Sequence, residues 1–258
     1  MTYDHMNPDR FADSAGVPWA GRSFEANPFS TDDGSADPDL ISAIQGFHTS
    51  GDPSKVFEAA AKARFLIPLV ANLGESGEGA HGQTVDKSAE LSIVTVKAPD
   101  GANALPIFSS VAAMQKWNPE ARPVPADAAR VAIAAASEGN TRIVLDATSE
   151  TEFVFRRPAI AALGKGLSWQ APHLNRDLTS QMADIARRQT EVIDVLFGTE
   201  DPKSRLQGAE MVVTLKLTGG LGPQKLQDVV SKVASDWSEI GNLADFIDDL
   251  KVVIAPTF

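Results

Sequence analysis

A series of short apolar runs, each bounded by Gly, Pro, Asp or Asn, is the feature that most restricts what this chain can become. FLIPLVA (Phe65 to Ala71), LSIVTV (Leu91 to Val96), ALPIF (Ala104 to Phe108), RIVLD (Arg142 to Asp146), EFVF (Glu152 to Phe155), MVVTLKL (Met211 to Leu217) and LKVVIA (Leu250 to Ala255) are strand-length and rich in β-branched residues. Segments with a helical period lie between them. Leu226, Val229, Val230, Val233, Trp237 and Ile240 form an amphipathic stripe, and Asp127 to Glu138 is an alanine-rich helix closed by Gly139-Asn140. Runs that alternate in this way imply an α/β to α+β fold: a mixed sheet flanked by helices, with a smaller C-terminal α-β-α-β unit.

Helix starts are marked by side chains that can accept from free backbone N–H groups. Asp37 before Pro38 and Asp52 before Pro53 place a cap ahead of a proline at the first helical position. Ser109 or Ser110 can cap a short helix holding Val111, Met114 and Trp117, and Pro158 to Leu163 is a further short helix ended by Gly164. Leu178, Met182, Ile185, Val192, Ile193 and Leu196 follow one helical period, with Gln189 interrupting it. LSIVTV and ALPIF, separated by Pro99-Asp100-Gly101, read as a hairpin. Pro68 removes a ladder donor, so its strand is expected at an edge or a bulge.

Residues 1–35 show neither period and are rich in Gly, Pro, Asp, Ser and Asn, which reads as an extended acidic arm. The expected organisation is therefore an arm over 1–35, a first domain over 36–172 and a C-terminal domain over 173–258. The last is too small for a fully independent core. Residues 1–52 hold nine acids and only Arg10 and Arg22, so most of the net charge of −11 lies there. That charge argues against broad contact with a phosphate backbone, so nucleic acid is an unfavoured partner. The start of the sequence has no basic, apolar signal segment, and no run reaches the length of a membrane helix. With no cysteine in the chain, a cytoplasmic protein without membrane contact is the expectation.

No motif in the chain carries a recognised chemistry. His5, His48, His81 and His173 do not pair at metal-ligand spacing, and cysteine ligands are absent, so no metal site is expected. DDGSADPD (Asp32 to Asp39) lacks the alternate spacing and terminal glutamate of a calcium loop. Ser109-Ser110 follows a strand but lies outside any GxSxG elbow. Gly219, Gly220 and Gly222 join a strand to a helix, the place where nucleotide-binding loops cradle anions, without P-loop or GxGxxG spacing. They are a candidate anion site whose plain alternative is a tight βα turn. No catalytic residue and no cofactor is assigned.

Aromatic and arginine positions point elsewhere. Trp19, Phe24 and Phe29 recur within VPWAGRSFEANPF, although solvated segments are ordinarily poor in aromatics. Either they dock on the protein's own surface or they form a linear motif for a partner. Trp117 and Arg122 are further candidate partner contacts, with Arg156, Arg157 and Trp169 of the same residue types. Their plain alternative is core filling for the tryptophans and pairing with local acids for the arginines.

The stretch from Phe57 to Gln170 resembles the SseB N-terminal domain of the enhanced serine sensitivity family. The resemblance is carried by ARFLIPLVA, LSIVTVKAPDGANALPIFSSVAAMQKWNPEARPVP, ARVAIAAASEG, RIVLDA and FVFRRPAIAALGKGLSW. The arm is similar to that of actinobacterial members. The family implies no reaction and no agreed catalytic residues, so it transfers no active site. Together these readings favour a non-enzymatic protein–protein interaction or regulatory module whose partner is another protein. The alternative is a small-molecule sensor, or an enzyme, for an amino acid or nucleotide linked to serine metabolism.

Overall fold

Asp37 accepts from the Asp39 and Leu40 N–H groups and starts the first helix, α1 (Pro38–Ser50). This helix runs past Gly46 and stops at Gly51, whose φ of 71° is the left-handed conformation that glycine adopts without a steric penalty. The structure is a computed structural model that describes residues 28–72 and 90–256. Within it Gly34–Phe258 form one compact unit. The next helix, α2 (Ser54–Ala60), begins where Asp52 accepts from the Ser54 N–H at 2.9 Å.

The strands that follow divide between two sheets. β1 (Arg64–Asn72) lies between β2 (Glu90–Ile93) and β5 (Arg122–Asp127), both antiparallel to it. β3 (Val96–Lys97), β4 (Asn103–Ile107), β6 (Arg142–Leu145) and β7 (Phe153–Phe155) form the second sheet in that order, with β4 parallel to β6. The run LSIVTV is thus split between two sheets, and only its end, β3, makes the expected hairpin with β4.

Pro68 sits in a central strand, contrary to the expectation of an edge. The reason lies in the ladder. Leu66 directs its N–H and C=O to Phe108, each bond 2.9 Å long, and so turns both away from β5. Antiparallel alternation then places Pro68, Pro123 and Pro125 at positions whose N–H would also point away from the β1–β5 ladder. No ladder bond between these strands is lost to proline.

α3 (Val111–Trp117) is capped by Ser110, whose Oγ accepts from the Ala113 N–H at 3.1 Å. α4 (Ala128–Ser137) is capped by Asp127, and α5 (Arg157–Lys165) ends at Gly166, two residues beyond the expected stop at Gly164. These two helices with α1 and α2 cover one face of the second sheet. Leu40, Ile44, Phe47, Phe57, Val131 and Ile160 pack there against Leu105, Ile143 and Phe153.

The C-terminal part holds α6 (Arg176–Ala186), β8 (Val192–Gly198), β9 (Met211–Leu217), α7 (Pro223–Trp237), α8 (Leu243–Phe246) and β10 (Leu250–Pro256). The sheet order is β10-β9-β8, with β9 and β10 parallel and joined through α7. The expected helix therefore ends early: Val192, Ile193 and Leu196 lie on a strand. Between the two elements Gln189 and Thr190 turn the chain, and a bulge at Val192–Asp194 breaks strict alternation, so apolar spacing there imitates a helix. The unit is α-β-β-α-α-β, with α8 a single short turn, within the expected α+β class. Its core joins Leu178, Met182, Val213, Leu215, Val233 and Trp237.

Candidate functional site

Among the described residues two polar clusters and one apolar groove are the candidate sites. The first lies at the ends of β6 and β7. The register Ile143–Phe155 sets Arg142 opposite Arg156, the residue that precedes α5, with Arg157 next in chain. Like charges on neighbouring strands repel unless acids separate them. The acids come mostly from the C-terminal part. Arg142 Nη2 lies 2.7 Å from Asp248 Oδ2, and its Nε lies 2.9 Å from Asp100 Oδ2. Arg156 Nη2 donates to Asp201 Oδ2 at 2.8 Å and to the Gly208 carbonyl at 2.7 Å. Arg157 Nε approaches Asp248 Oδ1 at 3.5 Å. The Arg156, Asp201 and Asp248 side chains are all more than nine-tenths buried.

Asp201 organises the loop that carries it. Its Oδ1 accepts from the Arg205 N–H at 2.9 Å and the Gln207 N–H at 3.3 Å, and its Oδ2 from the Leu206 N–H at 2.9 Å. These bonds hold Ser204 (φ 50°) and Leu206 (φ 58°) in the left-handed region, which side chains other than glycine adopt at a cost. Gly208 is required here, because a Cβ would lie 2.8 Å from the Glu200 carbonyl oxygen. The loop completes the second sheet: Val154 N–H donates to the Ser204 carbonyl at 2.8 Å, and Leu206 packs with Ala98, Ala104, Val144 and Val154 on the sheet's other face.

Glu210 completes the cluster. Its Oε2 accepts from the Asp248 N–H at 2.7 Å, and the residue is 8% exposed. Burial pushes its carboxyl up to about 7, and the Asp248 charge adds to the rise. The Asp248 N–H bond, Arg156 and Arg142 act in the opposite direction. Glu210 lines a cavity of about 40 Å³ with Phe47, Phe153, Arg156, Trp169 and His173. Burial also holds the His173 imidazole below its ordinary value, opposed by the Asp52 charge. The cavity has room for water but not for a metabolite. An outer cleft of about 820 Å³ reaches Arg142, Glu200, Asp248 and Lys251. Each of these is already committed to an ion pair, Lys251 to Glu200 at 2.6 Å.

The second place is Ser109. It is 3% exposed, its Oγ donates to Asp146 Oδ2 at 2.7 Å, and its N–H donates to Asp146 Oδ1 at 2.8 Å. Thr151 Oγ1 donates to the same carboxylate at 2.8 Å. A buried hydroxyl bound to a carboxylate, with no imidazole bonded to it among the described residues, is suited to holding the β6–β7 turn.

The third place is a groove between α4 and α5, about 350 Å³ in volume, floored by Ala132, Ala136, Ile160 and Ala161. The helices approach closely: a Cβ at Gly164 would stand 3.3 Å from Ala132 Cβ. Ile133 projects at its edge, 60% exposed, and the charged residues lining the groove are Arg157 and Lys165.

The candidates singled out in the sequence fall on separate elements. Trp117 closes α3 and is half-buried against the Phe108 ring, centroids 5.2 Å apart. Arg122 opens β5 and is exposed. Gly219 and Gly220 lie exposed in the β9–α7 turn, with Gly220 at φ 80°, and Gly222 precedes α7. Phe29 is half-buried in a turn, where its carbonyl accepts from the Asp32 N–H. Trp19 and Phe24 lie outside the described residues. Arg156 and Arg157 find acids far along the chain rather than local ones. Asp201, Glu210 and Asp248 carried no sequence signal beyond residue type.

The fold and these sites define an α+β protein with a buried ionic cluster between two cores. No group of histidines or carboxylates placed to hold a metal occurs among the described residues, and no helix among them is long and apolar enough to cross a membrane. Residues 40–162 match the family model of the SseB protein N-terminal domain. The match covers a little under half of the chain, from α1 through most of α5, and contains nearly all of the first core. No curated protein and no solved structure matches the chain significantly.

Proposed function

We propose that this protein is a non-enzymatic cytoplasmic interaction or regulatory module, and that the α4–α5 groove receives an acidic amphipathic helix of a protein partner. The observation that carries the reading is Ile133, an isoleucine left 60% exposed beside a groove with an apolar floor. Exposed apolar surface edged by charge is characteristic of protein contacts. The partner's sign follows chiefly from Lys165, with the half-exposed Arg157, which is shared with Asp248, as the other charged residue of that lining, in a chain of net charge −11. In this reading 36–172 is the recognition domain, 173–258 is a second domain docked on it, and the arm over 1–35, akin to actinobacterial arms, adds a contact through Trp19, Phe24 and Phe29.

The test is crosslinking at native expression, with the crosslinked positions mapped by mass spectrometry. A partner joined through an acidic helix to Lys165 or its neighbours, and lost from Ile133→Asp, is the expected result. Ile133 is exposed, so the variant is expected to keep its fold, which circular dichroism checks. Capture that is equal in wild type and Ile133→Asp would overturn the assignment of the groove.

A further inference from the structure

The ionic cluster between the two cores is sorted by origin. Arg142, Arg156 and Arg157 come from the first core, and Asp201, Glu210 and Asp248 from the C-terminal part, with Asp100 beside Arg142. With Glu210 protonated, three arginines face three aspartates and the set is neutral, with Arg142, Arg156, Asp201 and Asp248 as its most buried members and Arg157 and Asp100 at its rim. With Glu210 ionised, a fourth negative charge enters the site, and Lys251, which lines the outer cleft, is already paired with Glu200. The groups that face Glu210 are Arg156 and Arg142 from the sheet, Asp248 ahead of β10, Asp201 from the loop and His173 from the 3-10 turn at Pro172–Leu174.

We propose that this joint is a pH-sensitive latch, closed by a neutral set of three arginines and three aspartates and loosened when Glu210 ionises. Loosening releases the Asp201 loop, because Arg156 is bound both to Asp201 and to the Gly208 carbonyl at that loop's end. The loop in turn holds Ser204 on the edge of β7 and Leu206 on the sheet's second face. Opening therefore uncovers an unpaired strand edge and an apolar sheet face together, both surfaces that other chains can bind.

The direction follows from linkage. A carboxyl whose ordinary value near 4.5 rises to about 7 in the closed joint favours closure most at low pH. The advantage is lost as pH climbs to about 7 and is constant above it. Between about pH 6 and about pH 8 the open-to-closed ratio is expected to grow about tenfold.

The absence of cysteine from the chain gives a clean probe. In Leu206→Cys, thiol labelling is measured at each pH and divided by the rate for an unstructured cysteine peptide at that pH. The expected result is a rise of about tenfold across the interval, abolished in Leu206→Cys with Glu210→Gln. Should Leu206→Cys not fold, amide exchange of the 199–209 loop in unmodified protein and in Glu210→Gln, corrected for intrinsic rates, reads the same opening. A flat profile in otherwise unaltered protein overturns the latch. So does a rise that persists in Glu210→Gln, or one shared equally by the β9 amides, which would mark global unfolding.

Discussion

At the scale of single residues, Asp201 does the most. One carboxylate accepts from three backbone N–H groups of its own loop and from the Arg156 guanidinium. Replacing it leaves a buried cation without its partner and two left-handed residues without the bonds that hold them. Asp201→Ala is expected to lower unfolding free energy by about 3–5 kcal/mol, measured by urea denaturation. A loss below about 1 kcal/mol, the level of an exposed pair, would mean the loop is held by other contacts. Read as sequence, Asp201-Pro202 shows only a break between elements. Its acceptor role needs donors in an irregular loop and an arginine 45 positions earlier, separations that no local pattern encodes.

At the scale of elements, α7 and β8 illustrate opposite outcomes. The α7 stripe was plain because every turn presents Leu226, Val229, Val233 or Trp237 to the same side, and the structure buries or half-buries them all. Trp237 also donates its indole N–H to the Met182 carbonyl within α6, at 2.8 Å, so it joins the two helices by a directed bond as well as by packing. Trp237→Phe is expected to cost about 0.5–1.5 kcal/mol, the net worth of one hydrogen bond whose acceptor keeps its helical partner, with the fold kept. Calorimetry checks this, and an unchanged melting temperature would reduce the bond to an ornament of packing. Strand β8 misleads because its bulge spaces Val192, Val195 and Leu196 at intervals that fit a helix as well. Pro68 of β1 misleads for another reason. Proline is excluded from a ladder only where its N–H would serve that ladder, and strand alternation decides which positions those are.

At the scale of the whole molecule, two cores share one buried electrostatic joint, so their stability depends on pH through Glu210. The carboxyl is raised in the folded state. It contributes stability that is full below about 4.5, falls as pH rises and is gone above about 7. Glu210→Gln keeps an oxygen for the Asp248 N–H and has no ionisation to penalise folding. The variant is expected to match or trail the wild type near pH 5 and to exceed it by up to about 3 kcal/mol near pH 8. Urea titrations at both values measure this, and an equal pH dependence in the two proteins would remove Glu210 as its source.

Local patterns alone determined the cap at Asp37, a serine cap at Ser109 or Ser110, the strand runs, the α7 stripe, the α+β class and the resemblance to the SseB N-terminal domain. Each depends on residues a few positions apart, where spacing and backbone chemistry act directly. The partition of LSIVTV between two sheets, the central place of β1 and the meeting of Arg142 and Arg156 with Asp201, Glu210 and Asp248 were decided by tertiary structure. Those outcomes depend on which strand lies beside which and on how far water is excluded. Both are set by the packing of distant segments, because the energy of a charge or an unpaired donor depends on its surroundings and not on its neighbours in sequence.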